Sequence, residues 1–266
     1  MSILDKSLVV AGAVYGSFFY LFIFSPVLVL VLFSFQDGTL PMPPFHGFTL
    51  KWYGEALADG NKMDALVNSV FVGVTSSLAS CGLGFFAAYG LARFKLRFAE
   101  ALAWLLIAPA TLSYLIIAMG LLVFFGQVGM PRSLLTVIIG HIVINLPIAF
   151  AILYSQIGSS QVNLENAARD LGAKEWQVLA LVVLPAMAPA FIAAFALCFS
   201  LSWDEFIIAF LLSQFDATLP VEIWTSVRSG LNPVINATGT IVFGLSLGLF
   251  LLTVSVIAAR KVSKYD

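Results

Sequence analysis

Asp204 and Glu205 are the residues of this chain best placed to do chemistry. They stand side by side after an uncharged run over residues 176–203 and are followed by Phe206-Ile207-Ile208-Ala209-Phe210-Leu211-Leu212. An Asp at the centre of a membrane helix costs at least ~2.5 kcal/mol on insertion scales. Such a carboxylate is therefore either satisfied by polar neighbours or used. The use that fits is transient binding of a cationic solute, with Trp203 offering a cation–π face. Adjacent residues on a helix point about 100° apart, so the two acids are expected to have different roles.

Other chemical-looking patterns fail on context. Gly244-Leu245-Ser246-Leu247-Gly248 has the spacing of a hydrolase nucleophile elbow, but it lies in an apolar run with no His or acid nearby. Gly82-Leu83-Gly84-Phe85-Phe86-Ala87 has the spacing of a dinucleotide fingerprint without the strand or the later acid that fold requires. No Walker A, HExxH or CxxC sequence occurs, and His46 and His141 are far apart. No catalytic residue and no metal ligand is expected. His141 is expected to be a buried imidazole bonded to a backbone carbonyl. Cys81 and Cys198 both lie in apolar runs and read as core residues.

The elements that must carry Asp204 and Glu205 follow from composition. The chain has 266 residues, 61% hydrophobic and 10% charged, whereas a soluble domain carries about 25% charged residues. Uncharged runs cover 7–36, 65–92, 101–131, 133–164, 176–203 and 229–259. Each exceeds the roughly 20 residues that cross a bilayer. The sequence predicts six transmembrane helices in one all-α domain spanning residues 1–266. Their expected cores are Leu8–Phe35, Ala65–Ala92, Ala101–Gln127, Ser133–Ile157, a fifth starting near Leu184, and Asn236–Ala259. Gly12 and Gly16 form a small-residue pair of the kind that admits a close helix. With both ends inside, Lys6, Arg93, Lys95, Arg97, Arg169, Lys174, Arg260, Lys261 and Lys264 are cytoplasmic, against Lys51, Lys62, Arg132 and Arg228 outside. The excess favours cytoplasmic termini.

In that orientation the polar segment Leu164-Glu165-Asn166-Ala167-Ala168-Arg169-Asp170-Leu171-Gly172 is cytoplasmic. Asn163 is expected to cap a short helix, with Glu165 in its first turn beside the positive helix end. Ala167 and Ala168 add little bulk, so another surface can come close. Gly172 is placed to end the helix in a left-handed conformation. Lys174–Leu179 reads as a second short helix leading to Val182-Val183-Leu184-Pro185.

This spacing resembles the cytoplasmic EAA loop of permease subunits of ATP-binding cassette (ABC) importers. Ala167, Ala168, Gly172, Val182, Leu184 and Pro185 fall on the family pattern, while Asn166 stands where Glu is usual and Glu165 precedes it. Asn68-Ser69, the stretch Phe199-Ser200-Leu201-Ser202-Trp203-Asp204-Glu205-Phe206, and Leu219-Pro220 through Arg228-Ser229-Gly230-Leu231-Asn232-Pro233 resemble the spermidine/putrescine permease branch. Related branches move ferric iron, phosphonates, opines and amino-acid-like compounds.

The resemblance implies a type I importer permease (MetI-like) fold in a bacterial inner membrane. It implies Glu165, Asn166, Ala167, Ala168, Gly172, Leu184 and Pro185 as a motor-coupling loop within about 163–179. Trp203, Asp204 and Glu205 are the expected substrate pathway. The implied partners are two ATP-binding subunits that use ATP and Mg, a second and different permease subunit, an extracytoplasmic solute-binding protein and membrane lipid, with no nucleic acid. This chain itself is expected to bind no cofactor. A self-sufficient secondary transporter or channel is the competing expectation. It is disfavoured by the lack of repeats or paired broken helices.

Overall fold

The computed structural model describes residues 3–94, 96–157, 159–230 and 232–262, with side-chain surroundings given from 12 to 248, apart from 95, 158–161 and 231, and at 251. Lys95, Leu231 and Lys264, used above for orientation and motif, lie outside the described residues, as do the side-chain surroundings of Lys6, Arg260 and Lys261. Among the described residues the chain is helical with no strand; its one β feature is an isolated bridge between Gln36 and Phe48. Contacts divide it into two compact units, Met1–Gly60 with Ile223–Leu249 and Asn61–Glu222 with Phe250–Asp266.

The first unit is built on α1 (Ile3–Ser34), α2 (Lys51–Ala58) and the opening of α12 (Pro233–Val262). Within α1, Gly12–Ser34 is long and apolar enough to cross a membrane, and none of its most apolar window is buried inside the chain. Tyr15, Phe18 and Phe22 stand exposed along it, a surface suited to lipid. A side chain at Gly12 or Gly16 would meet nothing within 4 Å, so among the described residues no helix packs closely on this pair. The Pro-rich segment after α1 folds around Gln36. Its Nε2 donates to the carbonyls of Met42 (3.0 Å) and Pro44 (3.2 Å), while its backbone carbonyl accepts Trp52 Nε1–H at 2.7 Å. Trp52 is thereby buried with Ala56, Val234 and Ala237.

The second unit contains α3 (Gly60–Arg93) from Asn61 on, α4 (Ala99–Ile107), α5 (Tyr114–Gln127), α6 (Leu134–Gln156), α7 (Ser159–Asp170), α8 (Glu175–Val178), α9 (Leu184–Trp203), α10 (Ile207–Leu212) and the first turn of α11 (Leu219–Ser229). By length and composition, α1, α3, α6 and Glu175–Trp203 can span a membrane. Ala99–Thr111 and Tyr114–Gln127 make a fifth span if taken together, but they are bent by 102°. The predicted third helix is thus broken. Pro109 sits in a tight turn over Ala108–Thr111, and Ser113 is extended, because a proline gives no N–H to a continuing helix. The expected sixth span falls in α12, where Pro233–Gly248 is a shorter apolar helix.

The fifth predicted helix also differs at its start. The chain is helical from Glu175 and passes through a π turn at Leu179–Val183 before α9. Leu184 N–H bonds to Leu179 O, five residues back. This register change immediately precedes Pro185, which has no N–H to contribute.

Two apolar clusters stabilise the second unit. One joins Cys81, Phe85 and Ala88 of α3 to Phe150 and Leu153 of α6 and to Val178, Val183, Met187 and Cys198. The other joins Val72, Ile117, Phe125, Val137, Ile144, Ile208 and Leu212. Close approach depends on missing side chains. A Cβ at Gly84 would lie 2.9 Å from the Phe150 backbone nitrogen, and one at Gly140 2.5 Å from Ile208 Cγ2. Gly84 in the false dinucleotide pattern is therefore a helix-packing residue. Gly84→Leu is expected to separate α3 from α6 and cut the yield of folded protein several-fold, measured by size-exclusion profile in detergent; an unchanged profile would contradict this packing role.

Candidate functional site

Glu205 anchors a break in the helical run between Trp203 and Ile207. The helix ends at Trp203, so the two acids do not share a continuous helix as expected. Asp204 caps the end of α9 and is exposed, whereas Glu205 is 5% exposed. The Glu205 carboxylate accepts backbone N–H groups from Ile207 (2.9 Å), Ile208 (2.8 Å) and Ala209 (3.2 Å), the start of α10. Those are the amides that a helix start leaves without partners. A negative group is also favoured there by the helix dipole. The side chain that appeared free to bind a solute is thus largely consumed in holding α10.

Beside Glu205 lies a layer of buried polar side chains. His141 Nε2 stands 3.6 Å from Glu205 Oε2, and His141 Nδ1 shares a 2.6 Å hydrogen bond with Ser202 Oγ. Its partner is therefore a hydroxyl and not the expected backbone carbonyl. Ser202 Oγ in turn lies 3.3 Å from Ser76 Oγ, and Asn145 Nδ2 donates to Cys198 O at 3.3 Å. This layer joins α3, α6 and α9. It sits about 12 Å along α6 from Ser133, taking 1.5 Å per residue to His141. Trp203 is 8% exposed and stacked on Phe199, with ring centroids 5.9 Å apart. Most of its face is thus covered, which restricts the cation–π use expected for it. Ser246, in the apparent nucleophile elbow, donates to Val242 O at 2.9 Å inside α12, so no strand-to-helix elbow forms there.

Removing the Glu205 carboxylate would strand buried amides, and each unsatisfied buried donor costs about 1–3 kcal/mol. Glu205→Ala is expected to lower the detergent melting temperature clearly and reduce folded yield, while Glu205→Gln, which retains an acceptor oxygen, is affected less. Equal stability of the alanine variant and the parent would remove this anchoring role.

At the other end of the same unit, α7 and α8 form a short helical hairpin. α7 begins at Ser159, so Asn163 lies inside the helix rather than capping it. Gly172 has φ +86°, the left-handed conformation expected at this helix end, and its N–H bonds to Arg169 O at 2.8 Å. Gln177 Oε1 accepts the Lys174 N–H at 2.8 Å and starts α8. Asn166 and Ala167 are exposed, whereas Ala168 is half-buried against the chain's own core. Leu184 and Pro185 are exposed on the first turn of α9. Sequence reasoning missed Leu171 and Trp176, which are 89% and 63% exposed. Large apolar side chains on a polar hairpin were the available signal.

Glu165 faces the opposite way and is fully buried. Arg93 Nε donates to both its oxygens at 3.0 Å, Tyr89 Oη donates at 3.2 Å, and Arg169 Nη2 lies 3.6 Å away. Arg169 also forks onto Glu175 at 2.8 and 3.0 Å. That hydrogen bond raises the Arg169 pKa. The Arg93 end of α3 therefore lies beside α7. The opposite end meets α11, where Ser69 Oγ accepts Leu219 N–H at 2.7 Å and Asn68 Nδ2 donates to Ala217 O at 3.1 Å.

Comparison with known proteins places this geometry among membrane transport components. Residues 80–264 match the family described as binding-protein-dependent transport system inner membrane component. The chain is 33% identical over 233 residues to the putrescine transport system permease protein PotI of Escherichia coli (strain K12), covering 85% of this chain and 83% of that one. It is 28% identical over 246 residues to the spermidine/putrescine transport system permease protein PotC of the same organism, covering 92% and 90%. Its fold matches a chain in the crystal structure of the bacterial alginate ABC transporter in complex with alginate pentasaccharide-bound periplasmic protein. The TM-score is 0.73 at 15% identity, with 94% of each chain covered.

Proposed function

We propose a function from one premise: the chain belongs to the family of inner membrane components of binding-protein-dependent transport systems. It is a permease subunit of an ABC importer and forms half of a translocation path. The solute is a polyamine such as putrescine or spermidine, the cargo named for PotI and PotC. The observation that carries the solute reading is the division between the acids. Glu205 is engaged by backbone amides, while Asp204 beside it stays exposed at a break between two apolar helices. An exposed carboxylate in such a path attracts a cation without gripping it, and a weak site lets the solute leave.

Residues 1–266 act as one permease domain, with 163–179 as its cytoplasmic coupling segment and both termini cytoplasmic. Asn166, Ala167, Leu171, Gly172 and Trp176 supply the face on which an ATP-binding subunit docks. Leu184 and Pro185 begin the span that carries the motion onward. Two such subunits use ATP and Mg, a second and different permease chain completes the path, and a solute-binding protein delivers cargo from outside. ATP shifts the path between outward and inward states only through its different affinity for the two.

The purified chain alone is expected to hydrolyse no ATP. Vesicles holding the full complex should take up labelled putrescine or spermidine only with ATP and the binding protein. Hydrolysis by the chain alone, or uptake without ATP-binding subunits, would overturn the division of labour. ATP-driven uptake of a phosphonate and not of a polyamine would overturn the solute reading alone.

A further inference from the structure

We infer that Glu165 is not part of the motor-docking face but the buried half of an intramolecular tie that makes α3 move with α7. This rests on the reading of α7–α8 as the segment a motor subunit moves. Glu165 has no exposed surface, and its partner Arg93 is 14% exposed at the side chain. Arg93 grips the carboxylate through two donors, Nη2 to Oε1 and Nε to Oε2, a fork geometry that resists sliding and rotation better than a single contact. Tyr89, one turn earlier on α3, donates to the same carboxylate. The guanidinium also lies 5.5 Å from the Tyr89 ring centroid.

The tie continues in the other direction. Arg169, one turn after Glu165 on α7, faces that carboxylate and forks onto Glu175 at the start of α8. Arg93, Glu165, Arg169 and Glu175 thus alternate in sign from the end of α3, across α7, to the helix that leads into α9. A displacement of α7 is delivered to both α3 and α9. Those are the helices that meet at the polar layer, where Ser76 of α3 contacts Ser202 of α9. The outward residues of α7 bind and the inward ones transmit. Arg93 and Glu165 are positioning residues, and the quantity they control is solute moved per ATP hydrolysed.

The test uses the complete complex with Cys81 and Cys198 replaced by Ala, and compares three forms. In Arg93→Lys the charge remains but the fork is lost; the coupling ratio is expected to fall a few-fold. In Arg93→Cys with Glu165→Cys the tie is absent, and uptake per ATP is expected to fall at least tenfold with the ATP-binding subunits still bound. Bridging the two cysteines with a short bifunctional thiol reagent should restore at least half of the lost ratio. Two results would overturn the inference. One is an unbridged double-cysteine variant with the parent's ratio. The other is a bridged variant that stays uncoupled although mass spectrometry shows the bridge. Loss of the ATP-binding subunits from the double variant would also overturn it, by making Glu165 a docking residue. Failure of the docking reading itself is separable, because the unmodified chain would then hold no ATP-binding subunit.

Discussion

Asp204→Asn is expected to reduce uptake of a polyamine by the complete complex at least tenfold while the subunits remain assembled. The substitution keeps size and shape and removes only the charge. A unit charge pair at 4 Å contributes roughly 4 kcal/mol at an effective dielectric of about 20, and a tenfold change in rate corresponds to about 1.4 kcal/mol. Even an attraction weakened by solvent leaves room for the predicted loss. Asp204 is exposed and sits at the end of α9, so its neutralisation strands no buried donor. Asp204→Glu should recover part of the uptake. The decisive measurement is initial uptake of labelled spermidine and putrescine in vesicles across a range of concentrations. Parent-level uptake by Asp204→Asn would defeat the cation-path reading and leave the acid a helix-end role.

The second large effect concerns the α7 hairpin. Ala167→Arg is expected to abolish transport and release the ATP-binding subunits, although the chain still inserts. Ala167 is exposed, so the arginine damages no packing within the chain; it obstructs an incoming surface. Ala168 is a poorer probe because it is half-buried against the chain's own core. Gly172→Val should produce the same loss by another route. A Cβ at Gly172 would meet nothing within 4 Å, so the cost is conformational: φ +86° is strained for any β-branched residue. Co-purification of the ATP-binding subunits separates the two mechanisms from mere misfolding. Normal transport by either variant, with its motor attached, would show that this hairpin does not couple.

Much of this protein was legible from its residues alone. Uncharged runs longer than a bilayer exclude a soluble fold, because backbone groups in lipid must be satisfied within the helix. The spacing from Ala167 through Gly172 to Pro185 identified the hairpin, and the left-handed glycine was deducible from its place between two short helices. These are local properties, decided by hydropathy, helix ends and the steric cost of a Cβ. What each polar group touches is not local. Glu165 and Asn166 are neighbours, yet one is buried against Arg93 and the other faces out. The 72 residues that separate Glu165 from Arg93 leave no trace of that pairing in the spacing. The break after Trp203 was hidden because the flanking runs are apolar on both sides; only the amides of Ile207, Ile208 and Ala209 turn Glu205 inward and leave Asp204 exposed. Sequence thus determined that two adjacent acids follow a long apolar run and that a polar hairpin separates two others. The tertiary structure decided which acid is spent on the backbone and which remains exposed, because a buried carboxylate must find donors and only packed helices supply them.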